Sequence, residues 1–546
     1  MADITESDEF PVQWDDPADA ERTWTYDPMH SPRVIPPLGH ELHTGPLMTG
    51  FAKGWTEAGN PTAAHCRLFN YYSFTARSAP PPLPGSAPST PDALLEWTAG
   101  GGSRWRDEIL PEVKRQIEHY RTTDFASLSN AQLADELTEL RAVRVEQGRL
   151  HMLAMTPWDL ATNMLVDAYV QMTGGTELDA VRLLQGCGNM SVVAGRALWE
   201  LSKLASAIPA VRKRLLEMAN ESASTVLPDL EGDGAAGEFL SGLSDYLDAF
   251  GWRIDLQGFA FPTWAEDPTI TLRQLKSYIA LDGYDPDAEL RRLTDERDAA
   301  EAELRDRLPA DDWSHLSKIL DIARDVAPIL EDHNFYIDQR LTTLPRRLVL
   351  ESGRRLAADS IIDDPADVFF LHLNELTEAL ESAPSDHRTL TAARRQEMER
   401  WSKVTPPSFL GAPPPPPTDG PRDAARIRFA GDRRLGSDQP NMLVSHGGSA
   451  GVAVGPARIL PTLGDAGRLN KGDVLVTGTT MPPWTPLFAV ASSIVVETGG
   501  ILSHAAVTAR EYGIPAVLGV VDATHSIRDG QMLEVDGTQG TVRILS

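Results

Sequence analysis

Apolar residues along this chain fall into two regimes. Between residues 128 and 151, Leu133, Leu137 and Leu140 recur at helical spacing behind a Ser and Asn start, and residues 285 to 308 repeat the pattern through Leu290, Leu293, Leu304 and Leu308. A mainly α-helical region is predicted there. After the proline-rich stretch near residue 413 the period shortens to that of strands, in short β-branched runs at 473–478, 492–498, 515–520, 531–537 and 541–545 bounded by Gly, Pro, Asp or Thr. One helical stretch, SHAAVTAREYG, falls between the second and third runs. These elements predict a compact, strand-rich α/β unit at the C-terminal end.

Between the two regimes lies PPSFLGAPPPPPTDGP, residues 406 to 421, followed by a charged stretch to about 437. Five consecutive prolines, Pro413 to Pro417, lack main-chain donors and favour an extended polyproline conformation of about 3 Å per residue. The expected organisation is a helical domain over 1–405, with an irregular Trp- and Pro-rich layer over 1–110, a linker over 406–437 and a second domain over 438–546. A plain surface loop or a ligand for a proline-binding module is the alternative for the proline stretch.

Composition sharpens this division. Of 546 residues, 50 are Lys or Arg and 78 are Asp or Glu, a net charge of -28. Residues 441–546 contain six basic and eight acidic side chains, so they hold -2 of that charge and residues 1–440 hold -26. An acidic surface without a basic patch argues against nucleic acid or anionic membrane as a partner. Two cysteines, Cys66 and Cys187, exclude a disulfide scaffold or a Cys-based zinc site, and no metal site is predicted. The acidic start and the lack of a long apolar run lead to the expectation of a cytoplasmic protein.

The chemically informative segment is TGGILSHAAVTAREYGIPAVLGV, residues 498–520. Gly499 and Gly500 permit a backbone path closed to other residues, and Ser503 stands where it would cap a helix whose first turn contains His504. Main-chain N–H groups and the positive end of the helix dipole then lie beside an imidazole that could attack phosphorus and be held as phosphohistidine. A Gly-Gly turn with an ordinary capping serine and an exposed histidine is the alternative.

This segment resembles the phosphohistidine signature of the swivelling domain in phosphoenolpyruvate synthase, pyruvate phosphate dikinase, rifampin phosphotransferase and phenylphosphate synthase. The residues that match are Gly499, Gly500, Ser503, His504, Ala506, Ala509, Arg510, Glu511, Gly513, Ile514, Pro515, Ala516 and Val517. The resemblance implies a β/β/α swivelling domain with phosphate on His504, stabilised by Gly499, Gly500 and Ser503. It makes Arg510 and Glu511 structural, and has Thr480, Pro483 and Trp484 shape a face toward a partner site. Upstream, residues 14–38, 183–201, 250–268 and 330–376 resemble the substrate part of rifampin phosphotransferase and, more closely, the catalytic subunit of phenylphosphate synthase and of two-component alkylphenol phosphotransferases. In those two-component systems a separate ATP-grasp subunit uses ATP and Mg²⁺ to load the histidine, releasing AMP and phosphate. The resemblance therefore implies such a subunit as partner, no tightly bound cofactor in this chain, and a phenol or 4-alkylphenol as acceptor. A rifamycin-type antibiotic acceptor and a non-enzymatic phosphocarrier or regulatory protein are the alternatives.

An acceptor site is sought in DHNFYIDQR, residues 332–340. On an ideal helical wheel counted from Asp332, Tyr336, Arg340 and His333 fall at about 40°, 80° and 100°, beside an apolar stripe that includes Ile337, Leu341 and Leu344. Glu331 and Asp338 fall near about 250°, on the opposite side. That face suits a phenol pocket, with His333 or Asp332 as general base, Arg340 as phosphoryl clamp and Tyr336 as a substrate contact. Arg346 and Arg347, after Pro345, are alternative clamps; His30, and His151 with Trp158, are second-line candidates. Internal pairing of these polar side chains is the competing reading.

Overall fold

The computed structural model describes residues 10–545 apart from 15, 29, 61, 79–90, 219–220, 255–257, 282, 383–384, 415–420, 432–438 and 440. Packing divides the chain into two compact units, each assembled from separated stretches. The first comprises Met1–Thr156, Leu256–Phe261 and Tyr336–Pro417; the second comprises Pro157–Asp255, Pro262–Phe335 and Thr418–Ser546.

In the first unit the expected irregular layer is instead an antiparallel sheet. Strands β1 (Thr23–Tyr26), β2 (Ala63–Phe69), β3 (Tyr72–Ser78) and β4 (Phe409–Gly411) lie in the order β2-β3-β1-β4. The aromatic residues that obscured the strand period in the sequence form its core: Phe10, Trp24, Phe69, Tyr72, Phe74 and Trp401 pack together under the sheet. β4 pairs with β1 through Trp24 and Leu410, so the start of the expected linker belongs to a sheet rather than to a tether. Pro413 and Pro414 follow it in irregular backbone, and Pro415–Pro417 fall outside the described residues.

Helices make up the rest of this unit. The helix expected over 128–151 is longer, Asn130–Thr173, and continues through Pro157. Its crossing with the helix Gly45–Glu57 is close enough to demand glycine on both sides: a Cβ on Gly50 would sit 2.8 Å from Cα of Gly148, and one on Gly148 3.0 Å from Cα of Gly50. Arg144, on the same long helix, is fully buried and donates to the main-chain carbonyls of Leu42, Leu341 and Thr342 and to the Gln147 side chain. Burial pushes its guanidinium down to about 10, yet the four acceptors keep it satisfied.

The second unit combines helices with one eight-stranded sheet. All five predicted C-terminal strands are present as β8 (Val474–Thr477), β9 (Ser493–Val496), β10 (Ala516–Leu518), β11 (Met532–Asp536) and β12 (Thr541–Ile544). Three further strands, β5 (Met442–Val444), β6 (His446–Ser449) and β7 (Val452–Ile459), escaped the sequence reading because Gly447, Gly448, Gly451 and Gly455 interrupt the apolar alternation. The order is β5-β12-β11-β7-β8-β9-β10-β6, with β7, β8, β9 and β10 mutually parallel and the outer pairs antiparallel. A parallel connection from β9 to β10 requires a crossover, and the helix His504–Glu511 supplies it. The charged helix predicted at 285–308 is found at Pro286–Arg307, N-capped by Asp285. Among the described residues, no helix is long and apolar enough to cross a membrane.

Replacing Gly148 by Ala is expected to destabilise the chain by about 1–3 kcal/mol, since the added methyl must force two backbones apart. Denaturant unfolding of Gly148→Ala beside wild type measures this, and an unchanged midpoint would contradict the close crossing.

Candidate functional site

The site is built where β9 ends. The chain passes through Gly499 at φ 90°, turns at Gly500 and enters the helix His504–Glu511 with Ser503 in extended conformation at its N-cap. A Cβ at Gly499 would lie 2.7 Å from the Ser503 hydroxyl, so glycine here is steric as well as conformational. This places His504 in the first turn, at the carboxyl edge of the parallel strands and at the positive end of the helix.

Nδ1 of His504 lies 2.6 Å from Oε1 of Glu331, a side chain only 1% exposed. The other Glu331 oxygen accepts the Ser191 hydroxyl at 2.5 Å. Nε2 of His504 is buried and without a hydrogen-bond partner among the described residues, and so is the Ser503 hydroxyl. Ser503 therefore occupies the capping position without making the expected cap bond. The helix wheel had set Glu331 on the face away from the candidate pocket; in the fold it is the residue that touches the histidine.

The glycine loop also differs from expectation. Two of its N–H groups are taken up by main chain: Gly500 donates to the Phe429 carbonyl at 2.9 Å and Leu502 to that of Arg428 at 2.7 Å. These acceptors end a helix, Pro421–Ala430, inside the stretch read as linker. A Cβ on Gly500 would sit 2.5 Å from the Arg428 carbonyl oxygen, so only glycine allows this approach. The Arg428 side chain, 8% exposed, donates to Glu177 at 2.8 Å, Asp167 at 2.7 Å and Asn163 at 3.0 Å.

Around the histidine, carboxyl groups accumulate. Asp332 accepts the N–H of Met190 at 2.8 Å, and burial raises its pKa to about 6. Glu511 accepts the N–H of Gly186 at 2.9 Å, and burial raises it to about 7, partly offset by that bond and by Arg510. Arg510 itself donates to the carbonyls of Gly448 and Ile501, and burial lowers it to about 10. The two residues thus bind the helix to the loop before helix Met190–Ala207 and to β6. A narrow cleft follows the same helix, lined by Trp158, Thr162, Cys187, Leu502, Val507 and Glu511 among others.

The remaining candidates are dispersed. The 100° wheel fails at Asn334, because Asn334–Leu341 forms the wider π-helical turn and shifts the phase of every later side chain. Asp332 and His333 belong to the second unit, Tyr336 and Arg340 to the first. His333 is buried and donates from Nδ1 to the Ile329 carbonyl at 2.7 Å. Tyr336 is half-buried, with the Lys114 ammonium 5.3 Å from its ring, and Arg340 is half-buried. Arg346 donates to the Phe259 carbonyl, and Arg347 to those of Tyr120 and Arg121 at a helix end. Those bonds tie both guanidinium groups to main chain. His151 pairs with Asp338 at 2.8 Å, and His30 with Asp27 at 2.6 Å, which raises the pKa of His30 against the lowering effect of burial. Trp158 lines the cleft. Thr480 and Trp484 are buried rather than presented at a surface, and the Pro483 carbonyl accepts from Gln274.

Comparison with known proteins follows this geometry. Residues 469–540 match the PEP-utilising enzyme mobile domain, and residues 151–331 match the rifampicin phosphotransferase fourth domain. The first match contains His504; the second contains Glu331 and Ser191. The chain is similar to chondramide synthase cmdD of Chondromyces crocatus, at 33% identity over 98% of this chain and 14% of that protein. It is similar to the uncharacterised phosphotransferase YvkC of Bacillus subtilis (strain 168), at 30% identity over 79% of this chain and 51% of that protein. A rifampicin phosphotransferase of Streptomyces sviceus is 27% identical over 86% of this chain and 51% of its own length. The chain therefore spans about half, or less, of these relatives.

Two outcomes are expected. Gly500→Ala should lower stability by about 1–3 kcal/mol, because its methyl would collide with the Ile427 and Arg428 carbonyls; thermal or denaturant melting reads it. Asp332 and Glu511, with pKa values raised to about 6 and about 7, bind more protons folded than unfolded. Stability should therefore fall as pH rises from about 4 through about 7, by up to about 1.4 kcal/mol per pH unit per group. Glu511→Gln should flatten the upper part of that dependence, and an unaltered profile would contradict a buried, protonated Glu511.

Proposed function

We propose that this chain, which bears the PEP-utilising mobile domain and the rifampicin phosphotransferase fourth domain, is a phosphotransferase whose His504 alternately takes up and gives away a phosphoryl group. The observation that carries this reading is the pairing at His504. One ring nitrogen is anchored by Glu331, while the other has no hydrogen-bond partner among the described residues, in the first turn of a helix whose N-cap Ser503 hydroxyl is likewise unpartnered.

The reaction runs in two steps. An ATP-grasp subunit binding ATP and Mg²⁺ places phosphate on His504 and releases AMP and phosphate. The part of the chain that bears His504 then delivers the phosphoryl group to a hydroxyl of an acceptor bound elsewhere in the protein. In-line transfer needs donor and acceptor within about 3–3.5 Å at each step, and a moving imidazole satisfies this at two separate places. Keeping the acceptor away from ATP limits wasteful hydrolysis. The acceptor is a small aromatic alcohol, phenol or a 4-alkylphenol, on the strength of the upstream resemblance. The match over residues 151–331 favours a rifamycin-type acceptor as the second reading.

The chain is mixed with its ATP-grasp partner, ATP, Mg²⁺ and either phenol, 4-cresol or a rifamycin, and products are followed by ³¹P NMR. Wild type is expected to yield AMP, phosphate and one phosphorylated acceptor, and His504→Ala none. Product formation by His504→Ala would end this proposal. Stable phosphohistidine with no phosphorylated acceptor would point to a carrier instead.

A further inference from the structure

We propose that Glu331 is a positioning residue for phosphoryl transfer, holding the proton of His504 on Nδ1 so that Nε2 is the only atom offered to phosphorus. The inference rests on the phosphohistidine reading above and goes beyond it in naming the reacting nitrogen and the group that selects it.

Glu331 already accepts the Ser191 hydroxyl through Oε2, as a carboxylate does. Its other oxygen lies 2.6 Å from His504 Nδ1, and a carboxylate can only accept there, so Nδ1 bears a hydrogen and the neutral form of the ring has its lone pair on Nε2. That nitrogen is buried and without a hydrogen-bond partner among the described residues, as is the hydroxyl of the preceding residue, Ser503. Glu331 cannot readily turn away, being 1% exposed and fixed at both oxygens. The arrangement parallels the carboxylate that orients the histidine in a Ser-His-Asp triad, where the same bond sets tautomer and ring orientation.

The electron count shows why the proton matters. When the Nε2 lone pair forms the N–P bond, the donor's bond to phosphorus breaks and its electron pair leaves with the donor group; the ring still bears hydrogen on Nδ1 and becomes a cation, which the Glu331 carboxylate faces. When an acceptor oxygen attacks, the P–Nε2 bond breaks and its electron pair returns to Nε2. The ring leaves as neutral imidazole, and the acceptor's hydroxyl proton passes to water. Without a proton on Nδ1 the leaving group would be an imidazolate anion, a far poorer one. Ser191, through its bond to Glu331, supports the same orientation.

The test does not depend on any partner. The purified chain is treated with potassium phosphoramidate, which donates its phosphoryl group to imidazole nitrogen and releases ammonia. Alkaline hydrolysis and chromatography then separate the Nδ1 and Nε2 phosphohistidine isomers. Decay of the labelled protein, with and without phenol, is followed by ³¹P NMR. Beyond the background labelling found in His504→Ala, wild type is expected to contain the Nε2 isomer alone. Glu331→Gln is expected to contain both isomers, with loss of the Nε2 phosphoryl group slowed by about 10- to 100-fold. Ser191→Ala should shift both readouts in the same direction by less, and it serves if Glu331→Gln does not fold. A single Nε2 isomer and wild-type decay in both variants would overturn the role given to Glu331. Equal labelling of wild type and His504→Ala would instead tell against the phosphohistidine reading itself.

Discussion

The hydrogen bond between His504 Nδ1 and Glu331 organises the second unit. It joins the first turn of helix His504–Glu511 to a helical segment 173 residues earlier in the chain, with Glu331 buried and the imidazole half-buried. Burying a carboxylate costs several kcal/mol unless its lone pairs are satisfied, which explains why Ser191 is present on the far oxygen. Around this pair the chain arranges further main-chain support for its acidic groups: Met190 N–H on Asp332, Gly186 N–H on Glu511, and Asn189 capping the helix between them. The loop at 186–191 thus serves three carboxyl groups at once.

A second constraint comes from the glycines on either side of the histidine. Gly499 leaves room for the Ser503 hydroxyl, and Gly500 lets the carbonyls at the end of helix Pro421–Ala430 reach the loop's N–H groups. The donors that would hold a phosphoryl group in a bare Gly-Gly turn are therefore engaged by main chain here. In the proposed function, a phosphoryl group on His504 would depend on the first turn of helix His504–Glu511 and the Ser503 hydroxyl. Arg428 then ties that preceding helix to Asp167 and Glu177, so the loop, its cap and the helical layer form one connected set of contacts.

How far such features could be read beforehand depended on the range of the interaction. The strands β8 to β12 and the helix at 504 were legible because their periods are local, and each run is bounded by turn residues. The sheet β1-β4 was not, since its fourth strand lies more than 330 residues after its third and its aromatic core residues are scattered along the chain. The helix wheel at Asp332 was sound for two residues and then misled. A π-helical stretch has no clear sequence mark, and it alters the phase of the side chains from Asn334 to Leu341.

From sequence alone came the local frame of the proposed chemistry: a histidine after two glycines and a serine, at the start of a crossover helix, within a signature whose spacing is local and therefore visible. Tertiary structure alone decided what that histidine meets. Glu331 looked like an outward-facing acid and the segment at 421–430 like part of a tether, because neither sequence separation nor periodicity records which distant groups share a buried space. The proposed choice between the two ring nitrogens rests on that contact, since a packed acceptor at Nδ1 holds a hydrogen there.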